Sequence, residues 1–296
     1  MVDDKEERPV GRAHVFRLLG VAAFWLALGR FLPDLLWRAL PRGMLDVLSL
    51  PTYGMLCQVV TTLLGMGAAW LALEEPRRAL RLRRPCGWHL LVAVLVAPAV
   101  FVTASYVALK VAEPYLIAEL AREGEGASRR NAGAFGRAIT QAPLVVTLLW
   151  GATLAAFAEE LEFRGALFAA IEDAASRLSR WIRGATATVV TAAVFGAMHA
   201  DMKGSVGIVR VVSTACLGLA CGSARSLSRT VFVAMAIHFT YNAISLGLGR
   251  GIFKSDSEPL LSVVPNRLLT IAVAGAAGAI AVVVARRRVA RSAHAE

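Results

Sequence analysis

The chain is short of several things at once. Aromatic residues make up 7% of its 296 positions, and its 32 arginines and lysines are not interleaved with exposed rings. A net charge of +11 and a pI near 10.4 therefore do not describe a nucleic-acid surface. Four cysteines, Cys57, Cys86, Cys216 and Cys221, have neither a paired framework nor metal-ligand spacing, which excludes a disulfide scaffold and a thiolate zinc site; three of them sit in apolar segments as small hydrophobes. There is no HExxH, so a zinc site built on one helix is excluded, and one made from two histidines and a glutamate must come from tertiary convergence. No internal repeat, second domain or low-complexity tail is visible. The first residues, MVDDKEERPVGRAH, are followed by no small-residue cleavage site, so a retained first helix is expected, and RRRVARSAHAE at the other end holds no lipidation box. Lysine is scarce and alanine abundant, which is compatible with a GC-rich bacterial genome.

What the chain has in excess is apolar length. Hydrophobic residues reach 57%, with a mean hydropathy of +0.59, far beyond what a soluble domain needs. Apolar segments long enough to cross a bilayer fall at 13–32, 52–73, 88–109, 143–171, 185–202, 204–222, 230–249 and 267–285. The fold class expected is an all-α, polytopic membrane bundle of about eight transmembrane helices. Pro33, Pro51, Pro85, Pro143 and Pro265 fall near proposed boundaries, and Pro98 lies inside the third span as a kink. Lys110 to Thr140 reads as a polar loop between short amphipathic pieces. Three regions of one integrated domain are drawn: 1–139, 140–250 and 251–296. Trp25, Trp37, Trp70, Trp88, Trp150 and Trp181 read mostly as interfacial belt anchors. Positive residues favour both termini in the cytoplasm, with the protein multi-pass in a bacterial inner membrane. That topology sets His199 towards the outer side and the acids of the fourth span at mid-membrane, so joining them calls for a tilted or re-entrant segment.

Inside the fourth apolar stretch stand Glu159, Glu160 and Arg164. A charge at that depth costs at least a few kcal/mol, about 2.5–3.5 on insertion scales, and such residues usually line a wet cavity. Glu160 and Arg164 share a helix face at a spacing of four and can pair, whereas Glu159 points about 100° away, free to face a cavity where a desolvated carboxylate is a better base. His199 and His238 are the histidines that lie in or at the ends of spans. Phe195 precedes His199 by one turn in FGAMH and can fix its ring. Asn242 follows His238 by four in HFTYN, and two donors side by side can hold a developing oxyanion. A lone membrane histidine more often satisfies an interhelical hydrogen bond, and Glu-Glu-x-x-x-Arg on a soluble helix is a solvated ion-paired face. Four such features inside apolar segments are expensive unless they converge on one site. Arg210 can snorkel, pair with an acid or meet a substrate carboxylate, the first two being the ordinary outcomes.

EELEFRG (Glu159 to Gly165), FGAMH (Phe195 to His199) and HFTYN (His238 to Asn242), in this order, resemble the three signatures of the CAAX prenyl endopeptidase type II family, also called the CPBP or Abi family of intramembrane proteases. The resemblance covers roughly residues 140–250. It implies a bundle with a conical intramembrane catalytic cavity, in which Glu159 activates a water with help from His199, His238 and Asn242 stabilise the oxyanion, and Glu160, Arg164 and Phe195 support them. Glu162 adds a third carboxylate at a spacing of three from Glu159, which leaves open which acid is the base, or whether Glu162 lines the water path. No cofactor is expected; were the enzyme metal-dependent, Glu159, His199 and His238 would be the ligands. The implied partners are the lipid bilayer and a membrane-associated peptide or protein, such as a prenylated carboxyl-terminal peptide, a sorting tail, a membrane-tethered regulator or a bacteriocin-like peptide, with no nucleic acid. The rival readings are a proton-coupled transporter and a catalytically idle scaffold or immunity protein.

Overall fold

A computed structural model describes residues 11–41, 49–123, 141–250 and 266–292. Among these are eight helices long and apolar enough to cross a membrane, and no strand. They are α1 (Arg12–Ala39), α2 (Leu50–Ala72), α3 (Gly87–Glu123), α4 (Leu144–Ala174), α5 (Arg180–Met198), α6 (Gly204–Ser228), α7 (Val231–Gly249) and α8 (Asn266–Ser292). The all-α polytopic bundle expected from hydropathy is the fold observed. Successive helices run antiparallel, so one end of the bundle collects the start of α1, the α2–α3 linker, the α4–α5 turn and the α6–α7 turn. Arg17 donates to Glu74 at 3.2 Å, His14 lies 3.6 Å from Asp173, and Thr230 donates to the Arg83 carbonyl at 2.7 Å, all at this end.

Boundaries moved where length or proline misled. Pro33 lies inside α1. α3 does not stop near residue 109: it carries both Pro98 and Pro114 and runs 37 residues to Glu123, about 55 Å at 1.5 Å per residue. The added turns have a use, because Glu119, buried near their end, accepts the Ser205 amide at 2.8 Å and satisfies one of the orphan donors at the start of α6. Of the polar loop expected over Lys110 to Thr140, residues 124–140 lie outside the described residues, as do Pro265, the first ten positions and the last four.

Two helices form the centre. α4 and α7 pack on each other; α1 and α2 lie against α4, α3 against α6, α7 and α8, and α5 between α6 and the end of α4. α5 and α6 meet at backbone distance because small residues recur every four positions. A Cβ on Gly218 would stand 2.9 Å from the Ala192 Cα, and one on Gly196 2.9 Å from the Val211 carbonyl oxygen. Two tryptophans expected at the interfaces are interior instead. Trp25 is fully buried against Gly65 of α2, and Trp150 packs on Gly54, in each case because glycine leaves room for the indole.

Candidate active site

α4 is not uniformly α-helical. Wider π-helical turns span Leu149–Leu154 and Leu161–Leu167, and the α-helical turn Ala155–Glu160 between them presents the two acids. Such π segments recur at functional sites because they redirect side chains and carbonyls. Here the first one exposes the Gly151 carbonyl, which accepts the Asn242 amide Nδ2 at 2.9 Å and ties α7 to α4. The second starts immediately after Glu160 and carries Glu162. Glu162 is buried against α1, where a Cβ on Gly29 would stand 3.3 Å from its Oε1. Its carboxyl faces α1, outside the wall of the cavity described below.

Glu160 and Arg164 are both 0% exposed and meet at 3.0 Å between Oε1 and Nη1. Arg164 also donates from Nη2 to the Gly218 carbonyl at 3.0 Å and stacks over Phe195 at 4.7 Å, so α4 is fastened to α5 and α6 at mid-depth. The same Glu160 Oε1 lies 2.8 Å from Nδ1 of His238. A carboxylate paired with a guanidinium accepts, so His238 donates from Nδ1 and its lone pair is left on Nε2. His199 reaches the same state by another route. It ends α5, where the last carbonyls lack helical partners, and its Nδ1 donates to the Phe195 carbonyl at 2.8 Å. Phe195 packs edge-on against both imidazoles, with centroids at 4.7 Å and 5.7 Å.

Both Nε2 atoms then face one oxygen. Glu159 Oε2 lies 3.9 Å from Nε2 of His199 and 3.7 Å from Nε2 of His238. These separations are too long for direct hydrogen bonds and leave three acceptors converging on a small space. No re-entrant segment is needed to bring them together. Glu159 lies halfway along a 31-residue helix, and α5, at 19 residues, is short enough that its end meets α4 at that depth. The three residues, with Asn242, line a cavity of about 350 Å³ walled also by Trp150, Tyr241, Ser213 and Gln58. Gln58, whose Oε1 is buried without a hydrogen-bond partner, was not among the sequence candidates, because nothing marks a lone glutamine in α2. Arg210 lines the same cavity 3.5 Å from Asp201, so pairing is realised and the cavity position is added to it.

One carboxylate and two imidazoles are also a donor set for zinc. A tetrahedral zinc draws such donors to about 3.4 Å of one another, a few tenths of an ångström closer than here. Among the described residues, no group of three His, Cys, Asp or Glu side chains is gathered tightly enough to hold a metal ion.

Residues 141–244, from the foot of α4 to the middle of α7, match the family model described as Rce1-like, type II CAAX prenyl endopeptidase. Over those residues the core is similar to that family. The match indicates a peptidase in a multi-pass membrane protein, and it spans every side chain named in the site apart from Gln58. No curated protein and no solved structure matches the chain.

Proposed function

We propose that the protein is an intramembrane endopeptidase of the glutamate type, cutting a peptide bond beside a membrane-embedded or lipid-bearing part of its substrate. The observation that carries the reading is the convergence of Glu159 Oε2 with two imidazole lone pairs whose Nδ1 protons are already committed. Three acceptors in one place are stable when a molecule with protons to give sits among them, and water is that molecule. Glu159 takes one proton as the water oxygen attacks the scissile carbonyl carbon, and His199 holds the other. Asn242 uses one amide hydrogen on Gly151 and has a second for the oxyanion. His238, whose N–H is held by Glu160, joins it as a donor only when a proton drawn from solvent through the cavity binds at Nε2, to be returned to solvent as product leaves. The C–N bond then breaks as the proton on Glu159 passes to the leaving amine. A zinc ion, if bound, would be held by Glu159, His199 and His238 and would supply a Lewis acid for the same water.

The catalytic core is residues 140–250, with 1–139 and 251–296 integrated around it. Both termini and the arginine-rich end lie in the cytoplasm, in a bacterial inner membrane, and the cavity opens from mid-depth towards the other face. Detergent-purified wild type and Glu159→Ala, each incubated with membrane fractions, test this by mass spectrometry of new peptide termini. New termini from wild type alone, undiminished by strong chelators, are expected. Loss of cleavage to chelators with full recovery on adding zinc would overturn the metal-free mechanism. Full activity in both Glu159→Ala and His199→Ala would overturn the site. Substrate-dependent proton flux in proteoliposomes without any cleavage would favour a transporter, and an alanine panel silent in every assay an idle scaffold.

A further inference from the structure

The α2 wall of the cavity holds a polar group that the proposed chemistry does not use. Gln58 lines the cavity, and its Oε1 is buried with no hydrogen-bond partner among the described residues. A glutamine in a membrane helix ordinarily bonds across to a neighbouring helix, because lipid offers its amide nothing. The Gln58 oxygen makes no such bond, although α2 packs against both α1 and α4. Other polar side chains of the cavity are anchored to protein. His199 and His238 donate from Nδ1 to the Phe195 carbonyl and to Glu160, Asn242 donates to the Gly151 carbonyl, and Ser213 and Thr214 donate to the Arg210 carbonyl of their own helix. Gln58 Oε1 is an acceptor whose donor must come from outside the fold.

Its depth matches the chemistry. α2 and α4 end on the same side of the bundle, since Glu74, just past α2, meets Arg17, and Asp173, at the end of α4, meets His14 of the same α1. They therefore run parallel. Nearer the cavity mouth Gly54 faces Trp150, and Gln58 is one turn further along that face of α2, about 6 Å deeper. This brings it to the level of the turn Ala155–Glu160, which α2 touches and which carries Glu159. Two residues of extended chain span about the same distance as one helical turn. A peptide drawn into the cavity brings main-chain N–H groups that each need an acceptor. The catalytic groups engage the water, the scissile carbonyl and the leaving nitrogen, so the flanking amides need another. The last torsion of a glutamine is soft, and a small turn carries Oε1 to an amide that enters.

We infer that Gln58 is a substrate-binding residue, its Oε1 accepting a main-chain N–H within two residues of the scissile bond. The inference rests on the endopeptidase reading above and adds to the site a helix outside the matched residues 141–244. Selection at this point is of main chain: residues with an N–H are accepted there and proline is not. The probe is a synthetic peptide spanning the cleavage site found by mass spectrometry, with analogues in which each flanking N–H in turn is replaced by an ester oxygen. Wild type and Gln58→Met, a change of similar volume, are assayed with each peptide, and melting temperatures are taken on the same preparations. In wild type one ester should lower kcat/KM about two- to tenfold, the effect of a single hydrogen bond, with the loss in KM. In Gln58→Met the parent peptide should lose the same factor and that ester should cost nothing more. Gln58→Asn, which stays polar but withdraws the oxygen by one methylene, should behave like Gln58→Met and answers for it if that variant folds poorly. A wild type indifferent to every ester, or variants that keep the full ester effect, would overturn this inference while leaving the endopeptidase standing. Absence of any Glu159-dependent cleavage would remove the endopeptidase reading and this inference with it.

Discussion

The central and peripheral helices solve different problems with the same apolar alphabet. In α4 and α7, 44% and 50% of the most apolar window is buried within the protein, against 28% in α1 and 22% in both α2 and α8. The peripheral helices turn residues such as Phe16, Phe31, Leu63 and Leu71 outward, where lipid is as good a solvent as protein. The central pair buries its charges instead. Glu160, Arg164 and His238 are almost inaccessible and pair with one another, while Glu159, one residue along, keeps a quarter of its side chain open to the cavity. What the difference teaches is that hydrophobicity locates the protein in the membrane without organising it. Organisation comes from polar groups whose acceptable partners are few: each other and a handful of backbone carbonyls.

The contrast can be broken or sharpened by substitution, and the largest effect is expected at the open acid. Glu159→Ala should lower peptide cleavage by about 10²- to 10⁴-fold, the range for loss of a general base, with unfolding temperature little changed. Peptidase assays and thermal melts on the same preparation check this. Next comes the clamp: Arg164→Met strands the Glu160 carboxylate and His238, and should cost about 3–5 kcal/mol of stability, read as lost protein yield and a lowered melting temperature. Two glycine positions then compare the regions directly. In Gly65→Ala the new Cβ would come 2.2 Å from buried Trp25, and overpacking of about 1–3 kcal/mol, less roughly 1 kcal/mol gained in helix propensity, should lower stability while leaving kcat intact. Gly54→Ala makes the same clash with Trp150, a cavity wall, and should raise KM or lower kcat for a similar stability loss. Smallest of all, Leu71→Ala, at a position 92% exposed, should shift stability by no more than about 0.5 kcal/mol.

How much was legible beforehand depended on the range of the interaction. Span number and the Glu160–Arg164 pair are local, set by hydropathy and by a spacing of four, and both are found as expected. Phe195 does pack on His199 as the spacing implied, but the bond from its carbonyl to the imidazole depends on α5 ending where it does. The extension of α3 to Glu123 was missed because charged residues after Lys110 resemble a loop until the α6 amide that Glu119 caps is in view. Ideal α-helical rotation set Glu162 on the face of Glu159, but it could not show that the carboxyl is buried against Gly29 of another helix. Trp25 and Trp150 were assigned to the interfaces by composition, when the deciding residues were Gly65 and Gly54 on another helix.

Taken alone, the amino-acid sequence determined that this chain crosses a membrane several times and that a few charged and imidazole side chains lie too deep to be solvated. Both follow from the cost of transferring single residues or single helices out of water, which needs no knowledge of neighbours. Only the tertiary structure decided which nitrogen of each histidine carries its proton, which acid faces the cavity, and that Arg81 and Arg225, from two separated segments, meet at Glu172 of a third. Those outcomes depend on distances of 3 to 4 Å between helices, and charge interactions at that range are set by packing rather than by order along the chain.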